Sequence, residues 1–170
     1  SFLYTIPTYH NPASVTLPLK RRENLVEICA QNDLLVVADE VYHFLNYSDD
    51  PPPPMGNWTG TCPLISLGSF SKILAPGLRL GWMHTNVGLI KKMTKSGLID
   101  SGGGFNPFTS EIVNSFICLG FLKVHIKHLK TVYGQRIKVF CDQLRMHLPK
   151  QAKFKIPKGG YFIWVKLPDN

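Results

Sequence analysis

The sequence predicts an α/β fold carried by a mostly parallel sheet, and three observations lead there. Short apolar runs at Phe2 to Ile6, Leu34 to Ala38 and Leu64 to Gly68 have the length of buried strands and are bounded by turn residues. Between the first two lies a segment with apolar residues at helical spacing, and strand, helix, strand is the pattern of a parallel βαβ unit. The composition agrees: 170 residues, 44% hydrophobic and only 18% charged, suffice for a sizeable core and differ from a disordered chain.

The elements follow in order. A helix is expected from about Leu19 to Asn32, entered through Thr16 and Pro18, with Leu25, Ile28 and Cys29 as its apolar stripe. A loop from about Ser48 to Thr61 holds the Pro51 to Pro54 run. After the third strand come Ser69-Phe70-Ser71-Lys72, a turn with Pro76 and Gly77, and the apolar run Leu78 to Met83, whose short return favours an antiparallel fourth strand. Helices are expected near Val87 to Leu98, Thr109 to Leu119 and Lys123 to His147, with Gly134 bending or weakening the last. Phe154 to Ile156 and Tyr161 to Leu167 alternate like a strand pair after Gly159-Gly160. A division into residues 1–129, part of a large domain, and 130–170, the start of a smaller one, is the expected organisation.

Charge and cysteine exclude several classes. The net +8 is uneven: residues 1–85 carry five basic and seven acidic residues, and residues 86–170 carry fourteen and four. The lysines of the second half (Lys91, Lys92, Lys95, Lys123, Lys127, Lys130) are scattered without a nucleic-acid motif, so solvated helix faces are expected and nucleic acid is not. Cys29, Cys62, Cys118 and Cys141 form no CxxC pair and are expected to be free thiols. His125 and His128 lie three apart with no third ligand nearby, so no metal site is expected. No apolar run approaches the roughly 18 residues that span a bilayer, and no membrane association is expected. Ser1 opens the chain without Met, which leaves cytoplasm and mitochondrion equally open.

Open α/β sheets bind ligands beyond the carboxyl ends of their strands. The three strands end in Thr8-Tyr9-His10-Asn11-Pro12, in Asp39-Glu40-Val41-Tyr42 and in Ser69-Phe70-Ser71-Lys72. Singly these are ordinary: Asn11 before proline suits a turn, Asp39 a helix cap, Lys72 a solvated loop. Tyr9 suits a pocket wall or a packed aromatic equally well. Together they bring a carboxylate, a phenol, an amide, hydroxyls and an amine to one edge.

Asn11-Pro12, Asp39-Glu40-Val41-Tyr42 and the run from Ser69-Phe70-Ser71-Lys72 through Pro76-Gly77-Leu78-Arg79-Leu80-Gly81-Trp82 resemble the class I/II pyridoxal-phosphate-dependent aminotransferases of fold type I. Lys158-Gly159-Gly160-Tyr161-Phe162 resembles the same family's small-domain strand, and the aminoadipate and kynurenine aminotransferase type looks nearest. The resemblance implies a three-layer α/β sandwich, pyridoxal 5'-phosphate as cofactor, amino-acid and 2-oxo-acid substrates exchanged by a ping-pong mechanism, and a homodimer.

Residue by residue, the resemblance implies that Lys72 is the catalytic lysine that bonds the cofactor aldehyde and later moves the substrate proton. Asp39 would face the pyridinium nitrogen, Asn11 and Tyr42 the ring's phenolic oxygen, and Ser69, Ser71 and Arg79 the phosphate. The loop Ser101 to Phe108 occupies the place where, by the resemblance, such enzymes reach across the dimer, and it suits a mobile connector equally well.

The usual Asn-Pro-Thr-Gly reads Asn11-Pro12-Ala13-Ser14 here, a change that keeps Asn11. The family's upstream phosphate-cup helix, its ring-stacking aromatic and its downstream carboxylate-binding arginine have no evident counterpart. The chain is therefore expected to be part of a longer enzyme and poorly active by itself. Two other readings share the motifs: a cofactor-sensing domain of a transcriptional regulator, and a lyase or synthase on the same scaffold.

Overall fold

The computed structural model describes residues 1–95, 97–100 and 105–168. Its sheet has four strands in sequence order, β1 (Phe2–Thr5), β2 (Leu35–Asp39), β3 (Leu64–Ser69) and β4 (Gly81–Thr85). The first three are parallel, with Tyr4 opposite Val37 and Asp39 opposite Leu67. β4 returns antiparallel to β3, Gly68 facing Trp82. This is the expected mostly parallel sheet, although β4 starts three residues later than its apolar run because Pro76–Leu78 first forms a 3-10 turn.

Helix α1 (Leu19–Gln31) makes the crossover from β1 to β2. Its buried stripe is Arg22, Val26 and Cys29, at spacings of four and three, while Ile28 is exposed. The expected stripe of Leu25, Ile28 and Cys29 is thus turned by part of a helical step, because the guanidinium of Arg22 takes a core place that a polarity-based reading denies it. Val26 and Cys29 close over Val36, Ala38, Leu64, Met55 and Cys62, which form the core on that face of the sheet. All four cysteines are free, and three of them are buried.

Gly68 permits the β3/β4 pairing. A Cβ there would lie 2.0 Å from the Trp82 ring, so only glycine lets the indole lie across the strand.

Beyond β4 come α3 (Val87–Thr94), α4 (Gly97–Asp100), α5 (Pro107–Cys118) and α6 (Phe121–His147). The Asn86 side chain caps α3 by accepting from Leu89 N–H, and Asn106 caps α5 in the same way on Thr109. Helix α6 runs unbroken through Gly134, against the expected bend. Tyr47 lies over that glycine, where a Cβ would make an ordinary contact of 3.7 Å. Residues 101–104 of the expected cross-dimer loop lie outside the described residues.

The last segment forms a short antiparallel pair, β5 (Lys153–Phe154) and β6 (Val165–Lys166), and the stretch from Lys158 toward β6 folds back on the first half. Tyr47 N–H donates to the Lys158 carbonyl at 2.8 Å and Gly160 N–H to the Leu45 carbonyl at 3.0 Å. Gly159 and Gly160 are required there by Tyr9, which is 3% exposed: a Cβ on Gly159 would sit 2.4 Å from the Tyr9 ring and 2.5 Å from the Leu45 carbonyl oxygen. Gly159→Ala is expected to destabilise the fold by about 1–3 kcal/mol, the usual cost of forcing volume into a packed site. Thermal unfolding checks this; an unchanged midpoint would show that Tyr9 can move aside.

Candidate active site

The carboxyl ends of β1, β2 and β3 point to one edge of the sheet, and each delivers part of the predicted set. The turn after β1 is held by a buried network. Arg22 donates to the carbonyls of Pro7 at 2.9 Å, Pro53 at 2.9 Å and Leu17 at 2.8 Å and to the Thr8 hydroxyl at 2.8 Å. Its guanidinium also lies 3.9 Å from Glu40, with both side chains almost wholly buried. Glu40 accepts from Met55 N–H, Gly56 N–H and the Ser66 hydroxyl at 2.8, 3.2 and 2.6 Å. Two strand ends and the proline loop are so clamped by one ion pair, a role that neither Arg22 nor Glu40 announces in sequence.

Asn11 stands exposed after this turn, with its side chain close enough to Tyr42 to act on the phenol. Tyr42 is buried, with edge-on contacts to Tyr161 and Phe162. Burial and the Asp39 charge push its phenol above the ordinary value, while the Asn11 contact pulls it back. The amide and phenol expected to act together are therefore adjacent.

Asp39 ends β2 half-buried. Its Oδ2 accepts from the Tyr4 hydroxyl at 2.7 Å, and its Oδ1 has only a 3.5 Å approach from Val41 N–H. Tyr4 was not among the expected site residues; the signal that could have found it is the two-residue periodicity that puts Tyr4 and Asp39 on one face of paired strands. Tyr9, by contrast, is a packed aromatic, its phenol pushed up to about 12 chiefly by burial.

β3 runs directly into the four-residue helix α2 (Phe70–Ile73). The Ser69 hydroxyl caps it by accepting from Ser71 N–H at 3.1 Å. Arg79, in the left-handed region at φ 51°, turns back so that its Nη1 lies 3.4 Å from the Ser71 hydroxyl and 3.2 Å from the Pro76 carbonyl. Ser69, Ser71 and Arg79 thus form one cluster of donors.

Lys72 is half-buried on α2. Its carbonyl accepts from the Tyr161 hydroxyl at 2.7 Å, and among the described residues its amine takes no hydrogen bond or ion pair. It borders a cavity of about 400 Å³ shared with Ser71, Leu74, Pro76, Leu129, Tyr133 and Tyr161. The aromatic wall comes from α6 and the Gly159-Gly160 segment, which the sequence places far from Lys72.

The donor set fits a phosphorylated pyridine aldehyde: a primary amine for the aldehyde, a carboxylate for the ring nitrogen, an amide and phenol pair for the ring oxygen, and hydroxyls with a guanidinium for the phosphate. Donors of this kind define a class of site that suits pyridoxal phosphate.

Residues 5–170 match the family of class I and II aminotransferases, and the chain belongs to it. It is 37% identical to aromatic-amino-acid aminotransferase 1 of Thermococcus litoralis over 99% of this chain and 40% of that protein. The crystal structure of Pyrococcus horikoshii kynurenine aminotransferase, in complex with PMP, superposes with a TM-score of 0.91 at 37% identity, covering 99% of this chain and 42% of that one. An uncharacterized HTH-type transcriptional regulator of Bacillus subtilis is 28% identical over 98% of this chain and 34% of its own length. The chain spans about two fifths of the length of the curated aminotransferase it matches. Family membership and the PMP-bound likeness imply pyridoxal phosphate as the cofactor, as the motifs led one to expect.

Proposed function

We propose that the protein is an aminotransferase that moves an amino group between an L-amino acid and a 2-oxo acid in a ping-pong exchange. The observation that carries this reading is the convergence of Lys72, Asp39, the Asn11 and Tyr42 pair, and the Ser69, Ser71 and Arg79 cluster at the ends of three adjacent strands. When bound, pyridoxal phosphate supplies an aldehyde that receives the amino group and a ring that withdraws electrons.

The chain's own residues divide the work. Lys72 is the amine that anchors the cofactor and then holds and moves the proton at the substrate α-carbon. Asp39 keeps a proton on the ring nitrogen by its opposite charge. Asn11 and Tyr42 donate to the ring oxygen and favour its ionised form, while Arg79, Ser69 and Ser71 hold the phosphate through charge-assisted bonds. A large unit through residue 129, a smaller one from residue 130, and a homodimer complete the proposal; the division falls within α6.

The likeness to a transcriptional regulator supports a second reading, in which the same pocket senses the cofactor. Visible spectra of the cofactor-loaded protein separate the two. Conversion of the lysine-bound form to the pyridoxamine form by an amino-acid mixture supports exchange; a spectrum that amino acids leave unchanged sinks it and favours the sensor. Product analysis separates exchange from a lyase or synthase, which would release a different carbon skeleton.

A further inference from the structure

We propose that Tyr4 is a positioning residue for Asp39, fixing the carboxylate so that one oxygen is spoken for and the other is left to the cofactor ring. This rests on the reading of Asp39 as the partner of the ring nitrogen.

The geometry carries it. β1 and β2 are parallel and in register, Tyr4 opposite Val37, so Tyr4 and Asp39 stand two residues apart along one face of the pair. The Tyr4 hydroxyl reaches past Val37 to donate to Asp39 Oδ2 at 2.7 Å. Among the described residues Asp39 makes no ion pair, and the hydrogen bond to Oδ1 is that from Val41 N–H at 3.5 Å, too long for a strong bond. An aspartate rotates about two side-chain bonds, and a carboxylate at a strand end with a single weak backbone contact would sample several rotamers. The phenol removes that freedom and leaves the lone pairs of Oδ1 as the unused acceptors. The hydrogen bond is also the leading reason that the Tyr4 phenol is pushed up to about 12, so the hydroxyl stays a donor throughout the neutral range.

Tyr4 itself is 52% exposed, so its aromatic ring contributes little to the core and the hydroxyl can be removed without opening a cavity. Preorganising a charged acceptor is a way of strengthening binding without adding a contact to the ligand. Tyr4 therefore acts on the cofactor only through Asp39.

The test is a double-mutant cycle on pyridoxal phosphate affinity, measured by titration of the protein as Tyr4→Phe, Asp39→Ala and the double variant. The expected result is a roughly threefold to tenfold loss for Tyr4→Phe when Asp39 is present, and no further loss when Asp39 is already alanine. Equal losses in both backgrounds would mean that Tyr4 acts structurally, and no loss in either would mean that it does nothing; either result overturns the proposal. If Asp39→Ala leaves the affinity unchanged, the reading of Asp39 itself fails, and that failure is seen independently of Tyr4.

Discussion

Lys72→Ala is expected to abolish covalent capture of pyridoxal phosphate and to reduce amino-group exchange by at least roughly 10²–10⁴-fold, the range that a positioned acid-base group contributes. The side chain stands on a four-residue helix capped by Ser69, its carbonyl held by Tyr161, and among the described residues its amine is unengaged. Alanine keeps that backbone and removes a half-buried side chain beyond Cβ whose amine is unengaged among the described residues, so the fold should survive. Spectra and single-turnover exchange with an amino acid are the measurements. A variant that still shows a lysine-dependent spectrum, or that exchanges amino groups at the native rate, would remove the central residue of the proposed function.

Arg22→Met is the second change with a large expected effect, and it acts on the fold. Methionine fills comparable space but leaves Glu40 buried near Met55 and Ser66 without its counter-charge, and removes the Arg22 donor from the Leu17 and Pro53 carbonyls and the Thr8 hydroxyl. Breaking one side of a buried pair typically costs about 3–5 kcal/mol, because the remaining charge cannot be solvated. Denaturant unfolding should show a lower midpoint with an unchanged slope. Cofactor affinity should fall with it, since the turn that carries Asn11 hangs from this network. Glu40→Gln, which leaves the buried Arg22 without its counter-charge and turns an amide NH2 toward either Met55 N–H or Gly56 N–H, should also destabilise the fold. A loss below about 1 kcal/mol for Arg22→Met would place the pair among those contributing little.

Much of the site was legible because its residues cluster in short motifs. Asp39 and Tyr42 lie three apart on one strand end, and Ser69, Ser71, Lys72 and Arg79 fall within eleven residues, so local sequence reports them together. The three strands were equally readable as continuous apolar runs, although only β2 and β3 are buried in part, while β1 lies at the sheet edge with Phe2 and Tyr4 exposed. The misreadings share a different cause. The stripe of α1 was placed on Ile28 because a reading by polarity excludes arginine from a core, yet Arg22 is fully buried by virtue of partners at Pro7, Pro53 and Glu40. Gly134 was expected to bend α6 because glycine lowers helix propensity, but tertiary contact overrides a penalty of about 1 kcal/mol.

By itself the sequence determined the element order, the parallel sheet with its antiparallel last strand, the membership of the aminotransferase family and the residues proposed to meet the cofactor's chemical groups. Only the tertiary structure decided what holds those residues in place: Tyr4 on Asp39, Tyr161 on the Lys72 carbonyl, Arg22 with Glu40, and Tyr9 on the paired glycines. The physical reason is range. Strand and helix preferences depend on neighbours a few residues away, whereas Tyr4 and Asp39 are 35 residues apart and Tyr161 and Lys72 are 89 apart, so those contacts exist only once the sheet and α6 have brought them together.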